Sequence, residues 1–370
     1  MLENSTEQGM KIKKKSALEF EFNIGKVNLT QKAFFSKNLA VMLASGLGIV
    51  EALDISVDST KGKFKTILQG VAKSVESGRS LSDGFKMYPK VFPAFFISAV
   101  YAGEESGTLE ENLNQVAIQF KKEKELVDKI KGAMIYPAVI LVAGLILSFF
   151  VAFFILPKIL PLFEGFGVEL PFTTRVLISF SHFMDEYKAF IPWFLIGSFF
   201  FLNWLLRQKF TFPVTHKILL SFPVVKTISR GVNLARFSRT LGTLLMSGLN
   251  IDEALDITGN AVGNYYYKQS IMSTSVRIQK GSLLSECLDK YESLYPRITS
   301  RMIRVGEESG KLDETLMYIA EFYEEEVDNA TKSLSVALEP ILLVVIGFAV
   351  GFLALAIITP IYNITGSISG

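Results

Sequence analysis

Residues 103–113 read GEESGTLEENL, and residues 306–316 read GEESGKLDETL. The two stretches are identical at 8 of 11 positions and lie 203 residues apart. The same offset places Pro137 against Pro340, each near the start of an apolar run that follows the motif. A repeat period of this length is typical of duplicated domains, because solenoid repeats are only about 20–50 residues long. We therefore predict one folding unit, followed by one membrane segment, that is used twice.

The duplication extends upstream of this motif. Phe35–Ile55 and Phe237–Ile257 are identical at 13 of 21 positions. Apolar residues recur at helical spacing through Leu29–Ala44, and Ser45 and Gly46 then end the pattern, as glycine often does past a helix C-terminus. Further helices are predicted over three segments: Phe64–Ser77, Leu81–Tyr88 and Phe92–Ala102. Because no alternating strand pattern occurs, we predict an all-α membrane protein with two homologous cytoplasmic bundles of about six helices each.

The composition limits the chemistry that the chain can carry out. Cys287 is the only cysteine and there are two histidines, so an intrachain disulfide, a cysteine metal site and a histidine-rich metal site are excluded. The formal net charge is only +2 over 370 residues, which gives no indication of nucleic-acid binding. The sequence predicts neither a bound metal nor a cofactor.

Three uncharged apolar runs are candidates for crossing a bilayer, which takes about 20 residues. The stretch 207–239 carries seven basic residues and no acid, whereas 158–188 carries three basic residues and four acids. Since basic residues are retained in the cytoplasm, we predict a cytoplasmic N-terminus and an extracytoplasmic C-terminus. The predicted order is a flexible lead (1–28), a first cytoplasmic domain (29–131), a first span (132–157), an extracytoplasmic loop (158–188), a second span (189–206), a second cytoplasmic domain (207–339), a third span (340–362) and an extracytoplasmic tail (363–370).

The predicted spans contain no Asp, Glu, Lys, Arg or His. Transporters and proton relays use ionisable groups inside the membrane, so this absence argues against transport, although a transporter or channel component built from a repeat stays the alternative. A membrane enzyme needs a reactive site, and no catalytic motif is present. The stretch Gly306–Leu312 has one residue too few between its glycines for a phosphate-binding loop.

The motif GEESG has a structural and a functional interpretation. Its glycines suit a close helix approach or a positive-φ turn, and its glutamates could cap a helix. A pair of acids on a cytoplasmic corner could instead dock basic residues of a partner. The candidate residues for a helix corner or a docking surface are Gly103, Glu104, Glu105 and Gly107, their counterparts Gly306, Glu307, Glu308 and Gly310, and the basic residues Lys37, Arg236 and Arg239. Pro137 and Pro340 are predicted to kink a helix where it enters the membrane.

These features together resemble one known family. Two copies of F-x-x-x-L-x-x-x-L-x-S-G-L-x-I-x-E-A-L, two copies of GEESG-x-L, and K-x-x-x-A-x-x-Y-P at Lys129–Pro137 are similar to the GspF/PilC family. These are inner-membrane platform proteins of type II secretion systems and type IV pili. The resemblance covers about Leu29–Ile364, and it departs from the pattern where Glu339 and Pro340 replace Tyr136 and Pro137.

The resemblance implies a role that no motif here shows directly. Members of the family contact a hexameric secretion or pilus ATPase, pilin or pseudopilin subunits, and other inner-membrane assembly proteins. They sit in the lipid bilayer as homo-oligomers and couple ATPase movement to pilin polymerisation. They are not enzymes, they carry no cofactor, and they do not bind nucleic acid.

Overall fold

The fold was analysed in a computed structural model of the chain. The structure describes residues 27–151, 154, 175–176, 179, 182–183, 186–187, 189–206, 208, 211–221 and 223–368. Helices, turns and bends account for the regular structure of these residues, and no strand occurs among them. Most of the predicted lead (1–28), most of the predicted loop (158–188) and the last two residues of the predicted tail (363–370) lie outside the described residues.

The helices of the first repeat fall close to the predicted segments. They are α1 (Leu29–Ala44), α2 (Ile49–Asp58), α3 (Gly62–Glu76), α4 (Leu81–Lys86), α5 (Ala94–Ser106) and α6 (Leu109–Phe150). Helix α5 continues four residues beyond the predicted end at Ala102. The turn comes instead at the second glycine of GEESG, because Gly107 adopts the left-handed conformation (φ 74°) that ends a helix.

The second repeat contains the same series of helices after two further ones. These two are α7 (Ile191–Leu206) and α8 (Phe212–Ser221). The repeat itself comprises α9 (Pro223–Met246), α10 (Ile251–Ala261), α11 (Tyr265–Ile278), α12 (Leu284–Asp289), α13 (Arg297–Ser309) and α14 (Leu312–Ile368).

The chain divides into two compact units, which do not coincide with the two repeats. Among the described residues, the first unit comprises 27–127 and 230–325, so it contains the helical part of both repeats. The second unit comprises the described parts of Asp128–Ser229 and Glu326–Gly370.

The core of the first repeat is a cluster of phenylalanine rings. Phe85 and Phe92 have ring centroids 4.5 Å apart, and Phe92 and Phe96 are 4.8 Å apart. Phe35, Phe64 and Phe120 extend the cluster. Aromatic pairs at these separations stabilise a core beyond the area they bury.

The second repeat builds the same core with tyrosines at several of these positions. Tyr267, Tyr295 and Tyr323 stand where the first repeat has Phe64, Phe92 and Phe120. Each hydroxyl has a partner: Tyr267 donates to the Leu294 carbonyl (2.7 Å), Tyr295 lies 2.9 Å from Ser270 Oγ, and Tyr323 lies 2.6 Å from Thr299 Oγ1. Burial raises the pKa of Tyr267 and of Tyr295, so both phenols stay neutral.

For two of these tyrosines, the residue that bonds the hydroxyl also differs from its counterpart in the first repeat. Ser270 replaces Ile67, and Thr299 replaces Phe96. A buried hydroxyl costs free energy unless it is hydrogen-bonded. The second repeat therefore introduces each of these two phenols together with a partner for it.

The second unit contains the apolar parts of α6 and α14. Ser335 Oγ donates to the Ala133 carbonyl (3.1 Å), and Lys129 Nζ lies 3.6 Å from Asp328 Oδ1, so the two helices run side by side there. Both are long and apolar enough to cross a membrane. Helix α7, at the predicted second span, is a shorter apolar helix of 16 residues. Pro137 and Pro340 lie inside α6 and α14, and the kinks stay predictions.

Candidate functional site

The first glutamate of GEESG caps a short helix in both repeats. Glu104 Oε1 and Oε2 accept the backbone N–H groups of Leu81 (2.5 Å) and Ser82 (3.0 Å), at the start of α4. Glu307 accepts those of Leu284 (2.5 Å) and Ser285 (3.0 Å), at the start of α12. The first N–H groups of a helix have no partner within the helix, and a negative charge there also suits the helix dipole. The carboxylate of GEESG therefore joins two helices within each repeat.

The two glycines of the motif have separate structural reasons. Gly107 and Gly310 adopt positive φ (74° and 69°), which side chains with a Cβ rarely do. At Gly103, a Cβ would come 2.8 Å from the Leu109 Cα, because α5 and α6 approach each other there. At Gly306, a Cβ would meet Thr315 Oγ1 at 2.7 Å. Both glycines of each motif thus shape the helix hairpin.

The second glutamate of the motif has no such local role. Glu105 and Glu308 are exposed, on the last turn of α5 and of α13. In the described part of the chain, no carboxylate contact is recorded for either residue, whereas Glu104 and Glu307 are half-buried and occupied by helix N-termini. Of the four acidic candidates, Glu105 and Glu308 are the two that a partner could reach without disturbing a cap.

The three basic candidates occupy different environments. Lys37 is exposed, and its Nζ donates to Asn114 Oδ1 (2.6 Å). Arg236 is half-buried and makes a two-pronged ion pair with Glu123.

Arg239 was predicted to be a surface cation, but the structure buries it. It is only 4% exposed, and its Nε donates to Glu324 Oε1 at 2.8 Å. Lys122 Nζ lies 3.4 Å from the same carboxylate. The prediction rests on the sequence, in which Lys37 and Arg239 are basic residues at equivalent places of the two repeats. The second repeat instead buries this position, and the carboxylate of Glu324 compensates the buried charge.

Sequence reasoning missed the contact between the two repeats. Gln119 Nε2 donates to Thr240 Oγ1 (3.0 Å), and Thr243 Oγ1 donates to Gln119 Oε1 (3.3 Å). Asn112 Nδ2 donates to the Ala99 carbonyl (3.0 Å) and lies 3.4 Å from the Ser247 carbonyl.

These groups are buried, so their hydrogen bonds fix how α6 lies against α9. The sequence contains a feature from which this contact could have been predicted. Gln119 and Thr243 are polar residues that interrupt the apolar side of helices, and their counterparts Phe322 and Val41 are apolar.

The described residues hold no group of three or more His, Cys, Asp or Glu side chains placed to bind a metal ion. Cys287 is buried, and burial raises the pKa of its thiol. A thiol is nucleophilic as the thiolate, so this environment does not activate it. The arrangement as a whole offers helix corners, ion pairs and packing surfaces.

Comparison with known proteins agrees with the duplication. Residues 35–157 and 237–360 each match the family described as type II secretion system (T2SS), protein F. The two matched segments contain both GEESG motifs and the apolar run that follows each of them.

Similar proteins span nearly the whole chain. The type IV pilus assembly protein PilC of Thermus thermophilus is 35% identical over 342 residues, which cover 92% of this chain and 84% of that protein. PilC of Myxococcus xanthus is 32% identical over 363 residues (97% and 87%). The type II secretion system protein F of Aeromonas hydrophila is 33% identical over 346 residues (92% and 88%).

Proposed function

The chain belongs to the type II secretion system protein F family, and we propose on that premise that it is an inner-membrane platform for assembling a type IV pilus or a type II secretion pseudopilus. The membership confirms the resemblance that the duplicated motifs indicated. The observation that carries the proposal is the family match over both repeats, each with its apolar run, together with relatives named for pilus assembly and for secretion.

In this proposal the platform transmits force and catalyses no reaction. A hexameric ATPase on the cytoplasmic side moves the helical repeats, and the membrane helices pass that movement to pilin or pseudopilin subunits. Other inner-membrane assembly proteins and further copies of the chain complete the platform. The buried polar contact between the repeats, formed by Gln119, Thr240 and Thr243, supports a unit that moves as one body.

The proposed topology keeps both repeats in the cytoplasm. Residues 29–131 and 207–339 form the cytoplasmic domains, and the spans are 132–157, 189–206 and 340–362. The run of seven basic residues within 207–239 supports this orientation, because basic segments are retained on the cytoplasmic side. The N-terminus is then cytoplasmic and the C-terminus extracytoplasmic.

We assign the first contact with the ATPase to the exposed acids of the motif, Glu105 and Glu308. They project from equivalent corners, and no fold-stabilising contact is recorded for them in the described residues. Lys37 is a secondary candidate of the opposite charge, whereas Arg236 is occupied by its ion pair with Glu123. Glu104, Glu307 and Arg239 serve the fold first, since each is occupied within the repeat.

The test uses charge reversal at the exposed acids in the full-length chain, expressed in cells that lack the native copy. Glu105→Lys and Glu308→Lys should leave the membrane level of the protein unchanged, because surface charges contribute little to folding. At an interface they place like charges together, so we expect loss of ATPase capture and of filaments. The matched control is Glu110→Lys, which changes another exposed acid at the start of α6.

The possible results separate the docking surface from the platform role. Normal ATPase capture and normal filaments in both variants would remove Glu105 and Glu308 as docking residues. Normal filaments in cells without the chain would overturn the platform role itself. An effect of only one variant identifies the repeat that faces the motor.

A further inference from the structure

The two repeats contact each other through different sides. The first repeat contributes its last two helices: α5 contacts α10, and α6 holds α9 through Gln119 and through the ion pair of Glu123. We call this side of α5 and of residues 109–127 the hairpin face. The second repeat contributes its first two helices, α9 and α10, and we call their contacting side the leading face. The contact is therefore head to tail.

Because the repeats are equivalent, each face exists twice in the chain. The second hairpin face lies on α13 and residues 312–325 of α14, and the second leading face lies on α1 and α2. Phe322 takes the place of Gln119, and Val41 takes the place of Thr243. Gln119 is 5% exposed, whereas Phe322 and Val41 are 48% and 51% exposed. Within one copy, the hairpin face of the first repeat and the leading face of the second repeat are therefore in contact. The hairpin face of the second repeat and the leading face of the first repeat are exposed, and we call them the open faces.

At four positions the open faces are apolar where the closed pair is polar: Tyr318 and Phe322 replace Gln115 and Gln119, and Phe34 and Val41 replace Arg236 and Thr243, whereas Ile298 and Val305 replace the apolar Phe95 and Ala102. On the open hairpin face, Ile298, Val305, Tyr318 and Phe322 are exposed. On the open leading face, Val41 is joined by Phe34, which stands where the closed face has the ion-paired Arg236 and is 63% exposed. Contiguous exposed apolar side chains are typical of interaction sites. The matched change on both sides favours contact between these two faces.

The charges on the open faces are also complementary. The exposed side of α2 carries Glu51, Asp54 and Asp58, and α13 carries Arg297, Arg301 and Arg304. In the closed contact α10 packs against α5 while the counterparts of these charges, such as Glu253, Asp256 and Tyr101, stay exposed, so the equivalent packing places acidic α2 and basic α13 at the exposed rim of the contact. Helix α5 has Ala94, Ser98 and Tyr101 at the positions of these arginines. The cations therefore occur only on the hairpin that is still open.

The local ion pairs of these arginines do not compete strongly with a partner. Arg304 contacts Asp289 (3.1 Å) and Arg297 contacts Glu292 (2.6 Å), and all four side chains are well exposed. Exposed ion pairs contribute about 0–1 kcal/mol. No ion pair is recorded for Arg301 in the described residues, so its charge is available.

We infer that the leading face of the first repeat docks onto the hairpin face of the second repeat in another copy of this chain. The docking repeats, between two copies, the packing that already joins the repeats within one copy. A head-to-tail contact of this kind either closes into a ring or continues as a chain of protomers. The inference rests on the proposed self-association and names the surface that performs it.

The test is disulfide formation in native membranes between two differently tagged full-length copies, one with Val41→Cys and the other with Phe322→Cys. Native Cys287 is buried and serves as the unreactive background. We expect a product that carries both tags at twice the 41.2 kDa mass of the chain. Val276→Cys, another exposed valine placed on α11, is the matched control for Val41→Cys and should give no such product with Phe322→Cys.

A second control calibrates the geometry. Gln119→Cys and Thr243→Cys in one chain are the equivalent pair of the closed contact, where Thr243 Oγ1 and Gln119 Oε1 are 3.3 Å apart, and the yield of their intramolecular disulfide measures how readily this pair of positions links. Charge reversal adds an independent result. Asp54→Lys should reduce the intermolecular product severalfold, and Arg301→Glu in the other copy should restore it.

The outcomes distinguish the surface from self-association. If native gels show an oligomer and the Gln119/Thr243 control closes, but Val41→Cys and Phe322→Cys do not link, this surface is wrong and self-association stands. If Val41→Cys links equally well to itself, the contact is symmetric and the head-to-tail inference is overturned. A monomer in native gels without any intermolecular product would remove self-association as well.

Discussion

Glu104 accepts the backbone N–H of Leu81, a residue 23 positions earlier in the chain, and so ties the end of α5 to the start of α4. The same bond recurs between Glu307 and Leu284 in the second repeat. It separates the two glutamates of GEESG by role. The first belongs to the fold, and the second, Glu105 or Glu308, is exposed to solvent.

The first prediction concerns this cap. Glu104→Gln should lower the free energy of unfolding by about 1–3 kcal/mol, because an amide offers one acceptor oxygen where a carboxylate receives two N–H groups. Glu307→Gln should behave alike. Glu105→Gln and Glu308→Gln are the matched controls, and thermal unfolding of the purified protein in detergent is the measurement. Equal melting temperatures for the Glu104 and Glu307 variants and for the Glu105 and Glu308 controls would contradict a capping role of the first glutamate.

The second prediction concerns the turn at Gly107. A non-glycine residue in the left-handed region costs roughly 1–2 kcal/mol, and asparagine tolerates it better than β-branched residues. Gly107→Val should therefore lower the melting temperature clearly more than Gly107→Asn. Gly132→Val, at an exposed helical glycine with no heavy atom within 4 Å of its Cβ position, controls for the added side chain. If Gly107→Asn and Gly107→Val are equally destabilised, backbone conformation is not the reason for glycine.

The sequence predicted the features that depend on neighbours along the chain. The helix over Leu29–Ala44 and the glycine turn of the motif are local, and the 203-residue offset identified the duplication directly. The cap by Glu104 was only one of two interpretations, because its partner Leu81 is distant in sequence. The burial of Arg239 was missed for the same reason, since Glu324 is 85 positions away.

The third prediction concerns the tyrosine core of the second repeat. Tyr295→Phe removes a hydroxyl that bonds Ser270, and Ser270 keeps its bond to the Tyr267 carbonyl (2.8 Å), so we expect a loss of only about 1 kcal/mol.

The reciprocal change in the first repeat should cost more. Phe92→Tyr buries a hydroxyl at the position where Ile67 replaces the serine, and an unpaired buried hydroxyl costs about 1–3 kcal/mol. Adding Ile67→Ser should recover part of this loss. Thermal unfolding of the two single variants and the double variant measures the interaction energy between the two substitutions. If their effects simply add, the serine does not act as the partner of the new tyrosine hydroxyl.

The fourth prediction concerns topology. A reporter that is active only outside the cytoplasm, fused in turn after Gly167, Asn260 and Gly370, should be active at the first and last sites and silent at Asn260. The reason is the basic stretch 207–239, which holds the following residues in the cytoplasm. Because α7 has only 16 residues, the Asn260 fusion is decisive for whether that helix crosses. Activity at Asn260, or silence at Gly370, would contradict three spans.

The last prediction compares two ion pairs of unequal burial. Arg239 and Glu324 are 5% and 13% exposed in their side chains, whereas Arg297 and Glu292 are 73% and 57% exposed. Removing one member of a buried pair leaves an uncompensated charge away from water, which costs about 3–5 kcal/mol, while an exposed pair contributes about 0–1 kcal/mol. Arg239→Met should therefore lower the melting temperature strongly, and Arg297→Met should hardly change it. Lys122 lies 3.4 Å from Glu324 and compensates part of its charge, so the loss should fall near the lower end of the range.

Adding Glu324→Leu to Arg239→Met removes the stranded carboxylate and should recover stability, because an apolar pair of similar size needs no partner. Similar effects of Arg239→Met and Arg297→Met would mean that burial does not set the strength of these pairs, and Arg239 would return to the candidates for docking.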